Sequence, residues 1–117
     1  MTGRIYSINY IRDMFGFGPK IDIDKISEEI KRGIALLVDV RSDGEWEASH
    51  AAGATLFPLD RIGQGEVPTE DMGKKIYVYC ASGARSGMAE RILRQRGYDV
   101  ENIGGLGGWR AAGGSVE

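Results

Sequence analysis

The chain is poor in the residues that cross-link or span. It has one cysteine and one histidine, which excludes an internal disulfide and leaves no metal site of the structural-zinc kind. No apolar run approaches the ~18 residues that a bilayer-crossing helix needs. No unbroken apolar core follows Met1-Thr2-Gly3-Arg4, so a cytoplasmic protein is expected, or a periplasmic one if a signal peptide has been removed. Neither sign of charge dominates: 15 basic residues face 17 acidic ones, a net charge of -2. A nucleic-acid partner held by bulk charge is therefore not expected. The 117 residues suit one domain rather than two, and the 42% apolar content is enough for a globular core.

What is present is unevenly placed. Of the eighteen glycines, nine cluster late, at Gly83, Gly87, Gly97, Gly104, Gly105, Gly107, Gly108, Gly113 and Gly114. From Lys74 to Arg96 six basic residues stand against Glu90 alone, a local charge of +5 that leaves -7 for the rest. The cysteine, Cys80, lies within that positive stretch.

Residues 1–19 read as an amphipathic extension to a domain covering 20–117. Ile5, Ile8, Ile11 and Phe15 recur at helical spacing, giving a stripe that packs on the domain or makes a peripheral membrane or protein contact through residues 4–15. Ile21-Asp22-Ile23-Asp24 alternates like an edge strand, and Ser27 to Gly33 follows as a short helix. Ile34–Val40 and Lys75–Tyr79 are apolar runs of strand length, suited to burial on both faces. Ala54–Phe57 and Tyr98–Ile103 add strands. Asp43–Ser49, Ser86–Arg96 and Leu106–Ala112 read as helices, and 62–73 as loop with one helical turn. The alternation predicts an α/β fold with a mostly parallel central sheet of about five strands, flanked by helices on both faces.

The chemistry concentrates in Tyr77-Val78-Tyr79-Cys80-Ala81-Ser82-Gly83-Ala84-Arg85-Ser86-Gly87. A strand ends at Cys80, small residues follow, and a helix begins. Open α/β sheets bind ligands beyond the carboxyl ends of their strands. A tight loop of small residues turns backbone N–H groups inward as an anion nest, and the helix start adds its own. A free thiol with a pKa of about 8.5 is only ~3% ionised at neutral pH. A helix N-terminus contributing up to ~2 kcal/mol lowers that by about 1.5 units, to roughly half ionised. Read alone, a single cysteine is also a small buried hydrophobe. Arg85 reads as an anion contact or a solvated side chain, and Ser82 and Ser86 as hydroxyl donors or as turn and cap residues.

Four blocks in order give the chain a resemblance to the single-domain rhodaneses, thiosulfate sulfurtransferases. They are Leu37-Val38-Asp39-Val40-Arg41, Glu45 to Ala54, Tyr79 to Gly87, and Tyr98 to Trp109. Glu101-Asn102-Ile103-Gly104-Gly105-Leu106 resembles the phage-shock-protein-E type. The resemblance implies a rhodanese-like fold and no cofactor. It implies that Cys80 takes the outer sulfur of thiosulfate as a persulfide and passes it to cyanide or a thiol. Backbone N–H groups of Ala81, Ser82, Gly83, Ala84, Arg85 and Ser86 would then bind the substrate and the charged sulfur. It also implies for Asp39 and Arg41 a polar tie beneath the site or a substrate contact, for His50 a hydrogen-bonded structural role or that of a general base, and packing roles for Trp46 and Trp109. Ser49 and Ala51 depart from the family's glycine and isoleucine on either side of His50.

Rival readings share the loop. A cysteine phosphatase or arsenate reductase needs five residues between cysteine and arginine; here four, Ala81 to Ala84, separate Cys80 from Arg85. A non-catalytic interaction module would usually lack the cysteine. A persulfide relay would keep the chemistry and change the acceptor to a protein docking on the basic helix.

Overall fold

A computed structural model describes residues 21–117; the expected amphipathic extension lies outside the described residues. The order is α1 (Ile23–Lys31), β1 (Ala35–Asp39), α2 (Asp43–Ala48), β2 (Ala54–Leu56), α3 (Leu59–Gly63), β3 (Lys75–Cys80), α4 (Ala84–Gln95), β4 (Asp99–Gly105) and α5 (Leu106–Ala111). The described residues form a four-stranded sheet of order β2-β1-β3-β4, every neighbouring pair parallel.

The sheet has four strands where about five were expected, because Ile21–Asp24 is not an edge strand. Asp22 caps α1, its carboxylate accepting from the Lys25 N–H at 3.1 Å. From there Ile23, Ile26 and Ile30 lie on one helical stripe, packed beside Ala35, Leu37 and Tyr77. Four residues of alternation fit either structure, and the cap with its longer helical period decides for the helix.

β1 and β3 are the central strands, and their alternating side chains serve two cores. Val38, Val40, Ile76, Val78 and Cys80 join Ile62, Ala89 and Leu93, from α3 and α4, on one face. Leu37, Tyr77 and Tyr79 join Ile26, Leu106 and Trp109, from α1 and α5, on the other. This two-sided burial is why both strands read as continuous apolar runs.

The basic face of α4 is partly committed to the fold. Arg94 donates to the Val100 carbonyl at 3.0 Å, and Arg96 to the Ile62 carbonyl at 3.0 Å. These bonds fasten α4 to β4 and α3, which leaves less of the helix free as a docking face. The chain's end is also tied down: the His50 N–H donates to the Glu117 carbonyl, and the Trp109 indole to that of Ser115. No helix among the described residues is long and apolar enough to cross a membrane.

Candidate active site

Cys80 is the last residue of β3, and its parity directs its side chain to the α4 face. The loop after it is three residues long, and α4 begins at Ala84 rather than at the expected Ser86. Gly83 is the N-cap, with φ 98°. This left-handed conformation is cheap only for glycine. Here its N–H donates to the Cys80 Sγ at 3.0 Å. The Ser86 hydroxyl lies 3.4 Å from the same sulfur. Cys80 is 1% exposed and Ser86 fully buried, so the sulfur forms the floor of the loop. A purely hydrophobic cysteine would be as buried, but it would not gather amides and a hydroxyl.

These groups set the acidity of the thiol. Burial pushes its pKa up. The Ser86 hydroxyl and the amides of Ser86, Ser82 and Gly83 outweigh that, and bring it down to about 7. Hydrogen bonds to the charged form account for the direction.

The six loop residues divide. Ser82, Gly83 and Ser86 act on the sulfur. Ala84 opens the helix. Ala81 rests on β4: a Cβ at Gly105 would stand 2.2 Å from the Ala81 carbonyl oxygen, so only glycine lets the loop lie that close. Arg85 turns to α2, giving Glu45 a two-pronged pair at 2.8 and 2.9 Å. That pair, with the Ser42 N–H, holds the Glu45 carboxyl well below the usual carboxylate range. Arg85 therefore meets a carboxylate on its own chain in place of a free anion site.

On the opposite face at the same edge, Asp39 is fully buried and Arg41 is 6% exposed. Arg41 donates to Asp39 through its backbone N–H, Nε and Nη2, at 2.7 to 3.0 Å. The Tyr79 hydroxyl adds a bond to Asp39 at 2.6 Å and accepts from the Ala51 N–H at 3.0 Å. Arg41 also reaches the Ser49 carbonyl at 2.6 Å. This is a polar tie joining β1, β3 and the segment after α2. His50 donates from Nδ1 to the Trp46 carbonyl at 2.8 Å and stacks on the Trp46 ring at 3.5 Å.

Three participants escaped the residue-by-residue reading. Glu45 gave a signal only as a capping-box acid behind Ser42. Tyr79 read as packing, its hydroxyl partner being 40 residues away. Asn102 stands in a strand, where asparagine is rare, and its side chain donates to the Gly83 carbonyl at 3.0 Å. A separate cleft of about 460 Å³ opens beside the loop, lined by Ile26, Tyr77, Ser82, Gly83 and Asn102 among others; Cys80 does not line it.

Comparison with known proteins agrees with this geometry. Residues 22–112 match the model of the rhodanese-like domain. The Escherichia coli thiosulfate sulfurtransferase PspE is 37% identical over 59% of this chain and 68% of its own length. The Saccharomyces cerevisiae thiosulfate:glutathione sulfurtransferase is 31% identical over 68% of this chain and 67% of its own. Two further relatives, from Bacillus subtilis and Synechocystis, are uncharacterized. Among solved structures, the Alr3790 protein of Anabaena aligns with a TM-score of 0.69 at 26% identity, covering 81% of this chain and 77% of that one.

Proposed function

This chain belongs to the rhodanese-like domain family, whose characterised relatives transfer sulfur, and from that premise we propose that it moves a sulfane sulfur from thiosulfate or a related donor through a Cys80 persulfide. The Cys80 thiolate attacks the outer sulfur of thiosulfate. A new S–S bond forms, the old one breaks, and its electron pair leaves with sulfite. A thiolate or cyanide then attacks the terminal sulfur, forming a persulfide or thiocyanate and returning Cys80 as thiolate. The sulfur atoms, charges and electron pairs balance with no external oxidant.

One observation carries the reading: the Gly83 amide faces the Cys80 Sγ at 3.0 Å, on a loop whose donors bring the thiol to about 7. The same donors that stabilise the thiolate would stabilise a persulfide anion one atom further out. The position where a phosphatase carries its arginine is Ser86 here, and Arg85, one residue earlier, is paired with Glu45; both favour a sulfur atom over a tetrahedral oxyanion.

Intact mass after treatment with thiosulfate tests the proposal. One added sulfur is expected on the wild-type protein, removed by cyanide or by a small thiol. Cys80→Ser should gain none and should lose turnover entirely. Normal turnover by the serine variant would overturn the assignment.

A further inference from the structure

Ser86 and Gly83, the two groups closest to the sulfur, share a third partner that does not touch it. Asn102, in the edge strand β4, donates from Nδ2 to the Gly83 carbonyl at 3.0 Å. Its Oδ1 accepts from the Ser86 hydroxyl at 2.7 Å and from the Gly104 N–H at 2.9 Å. Its own backbone N–H donates to Glu90 on α4 at 2.8 Å. The amide orientation is fixed by its neighbours. Turned over, it would set oxygen against the Gly83 carbonyl and N–H against the Gly104 N–H. Helix α4 leaves room for it as well: a Cβ at Gly87 would stand 3.4 Å from Nδ2.

We propose that Asn102 is the positioning residue for the Cys80 thiol, holding the Gly83 backbone and the Ser86 hydroxyl in one frame and competing with the sulfur for the hydroxyl's single proton. Gly83 carries both the N–H that faces the sulfur and the carbonyl that Asn102 grips, so anchoring one fixes the other. The Ser86 hydroxyl has one proton and three acceptors within reach, Asn102 Oδ1 at 2.7 Å, Cys80 Sγ at 3.4 Å and the Gly104 carbonyl at 3.4 Å, and of these Asn102 Oδ1 is much the nearest. With a neutral thiol, the proton rests on Asn102. Once the sulfur is charged, the hydroxyl turns toward it, and the Gly104 N–H keeps Oδ1 satisfied. Asn102 thus stores a donor next to the thiol and releases it when charge appears, at no cost in unpaired groups.

This inference rests on Cys80 being the reacting thiol, but its test uses no sulfur donor. The measurement is the pH dependence of Cys80 alkylation by iodoacetamide. Asn102→Asp keeps the acceptor, loses the donor to Gly83 and adds a negative charge, so the midpoint should rise by about one pH unit or more. Glu101→Gln, the neighbouring exposed position, should leave it unmoved. In a Ser86→Ala background the shift caused by Asn102→Asp should shrink markedly. An unchanged midpoint overturns the proposal, and so does an equal shift in both backgrounds, which would be the effect of charge alone. If the aspartate variant does not fold, the wild-type protein still decides. The Asn102 side-chain amide resonances should titrate with the alkylation midpoint, and indifference would overturn the proposal. Loss of Cys80 alkylation itself, or sulfur transfer surviving in Cys80→Ser, would instead count against the reading of the site.

Discussion

Asp39 and Cys80 end neighbouring strands and are equally hidden, yet on opposite faces of the sheet. Around Asp39 the charges cancel. One guanidinium faces one carboxylate, and a tyrosine hydroxyl and backbone N–H complete its hydrogen bonds. Around Cys80 the donors are in excess: amides and a hydroxyl converge, and among the described residues no cation is hydrogen-bonded to the sulfur. The first arrangement is stable because it is saturated. The second gains most when a negative charge appears in it, so it favours the ionised form of the group it surrounds. A buried polar cluster becomes a reactive site when its donors outnumber the charge it holds in the resting state.

The comparison can be broken by moving either cluster without the other. Asp39→Ala should have the largest effect on stability, about 3–5 kcal/mol by urea unfolding, because it leaves a buried arginine unpaired. The alkylation midpoint of Cys80 in the folded variant should stay near 7, and a shift as large as that from Asn102→Asp would show that the two faces are one unit. Gly105→Ala should follow at about 1–3 kcal/mol. Its Cβ meets the Ala81 carbonyl, so the loop must move and sulfur transfer should fall more steeply than stability.

pH sharpens the contrast further. The folded thiol, at about 7, lies below an unfolded thiol at about 8.5. The unfolded chain therefore holds the proton across that window. Stability from the thiolate is complete above the unfolded value and is lost as pH falls through 7. Donor turnover should rise with the same midpoint. Cys80→Ser should lack that stability gain in urea unfolding. Arg85→Ala should have the smallest effect on stability, about 0.2–1 kcal/mol, since both side chains of the pair are more than a third exposed to water. It also uncovers Glu45, so kcat/KM for thiosulfate should drop more than for a neutral donor. An equal loss for both would place the Arg85–Glu45 pair outside the donor's path.

Much of this was readable in the chain. Ile34–Val40 and Lys75–Tyr79 had to be two-sided strands, because no polar face interrupts them. The strand, small residues and helix around Cys80 placed a thiol in an anion nest, and the size argued for its acidity agrees with about 7. Ile21–Asp24 misled because four residues of alternation are too short to separate a strand from a capped helical turn. Arg85 reads in sequence as an anion contact or a solvated side chain, and nothing nearby in sequence shows that Glu45, 40 positions earlier, pairs with it.

Local chemistry by itself determined where the central strands and most helices fall, which thiol is the candidate nucleophile, and that its loop is built of small residues. Those choices depend on period, residue size and backbone freedom, all of which act over a few positions. Tertiary structure alone decided which side chains meet at the sheet's edge: Asn102 on Gly83 and Ser86, Glu45 on Arg85, Tyr79 on Asp39. Hydrogen bonds between distant segments form only after the sheet has set the spacing of its strands, and that spacing is a property of the packed core.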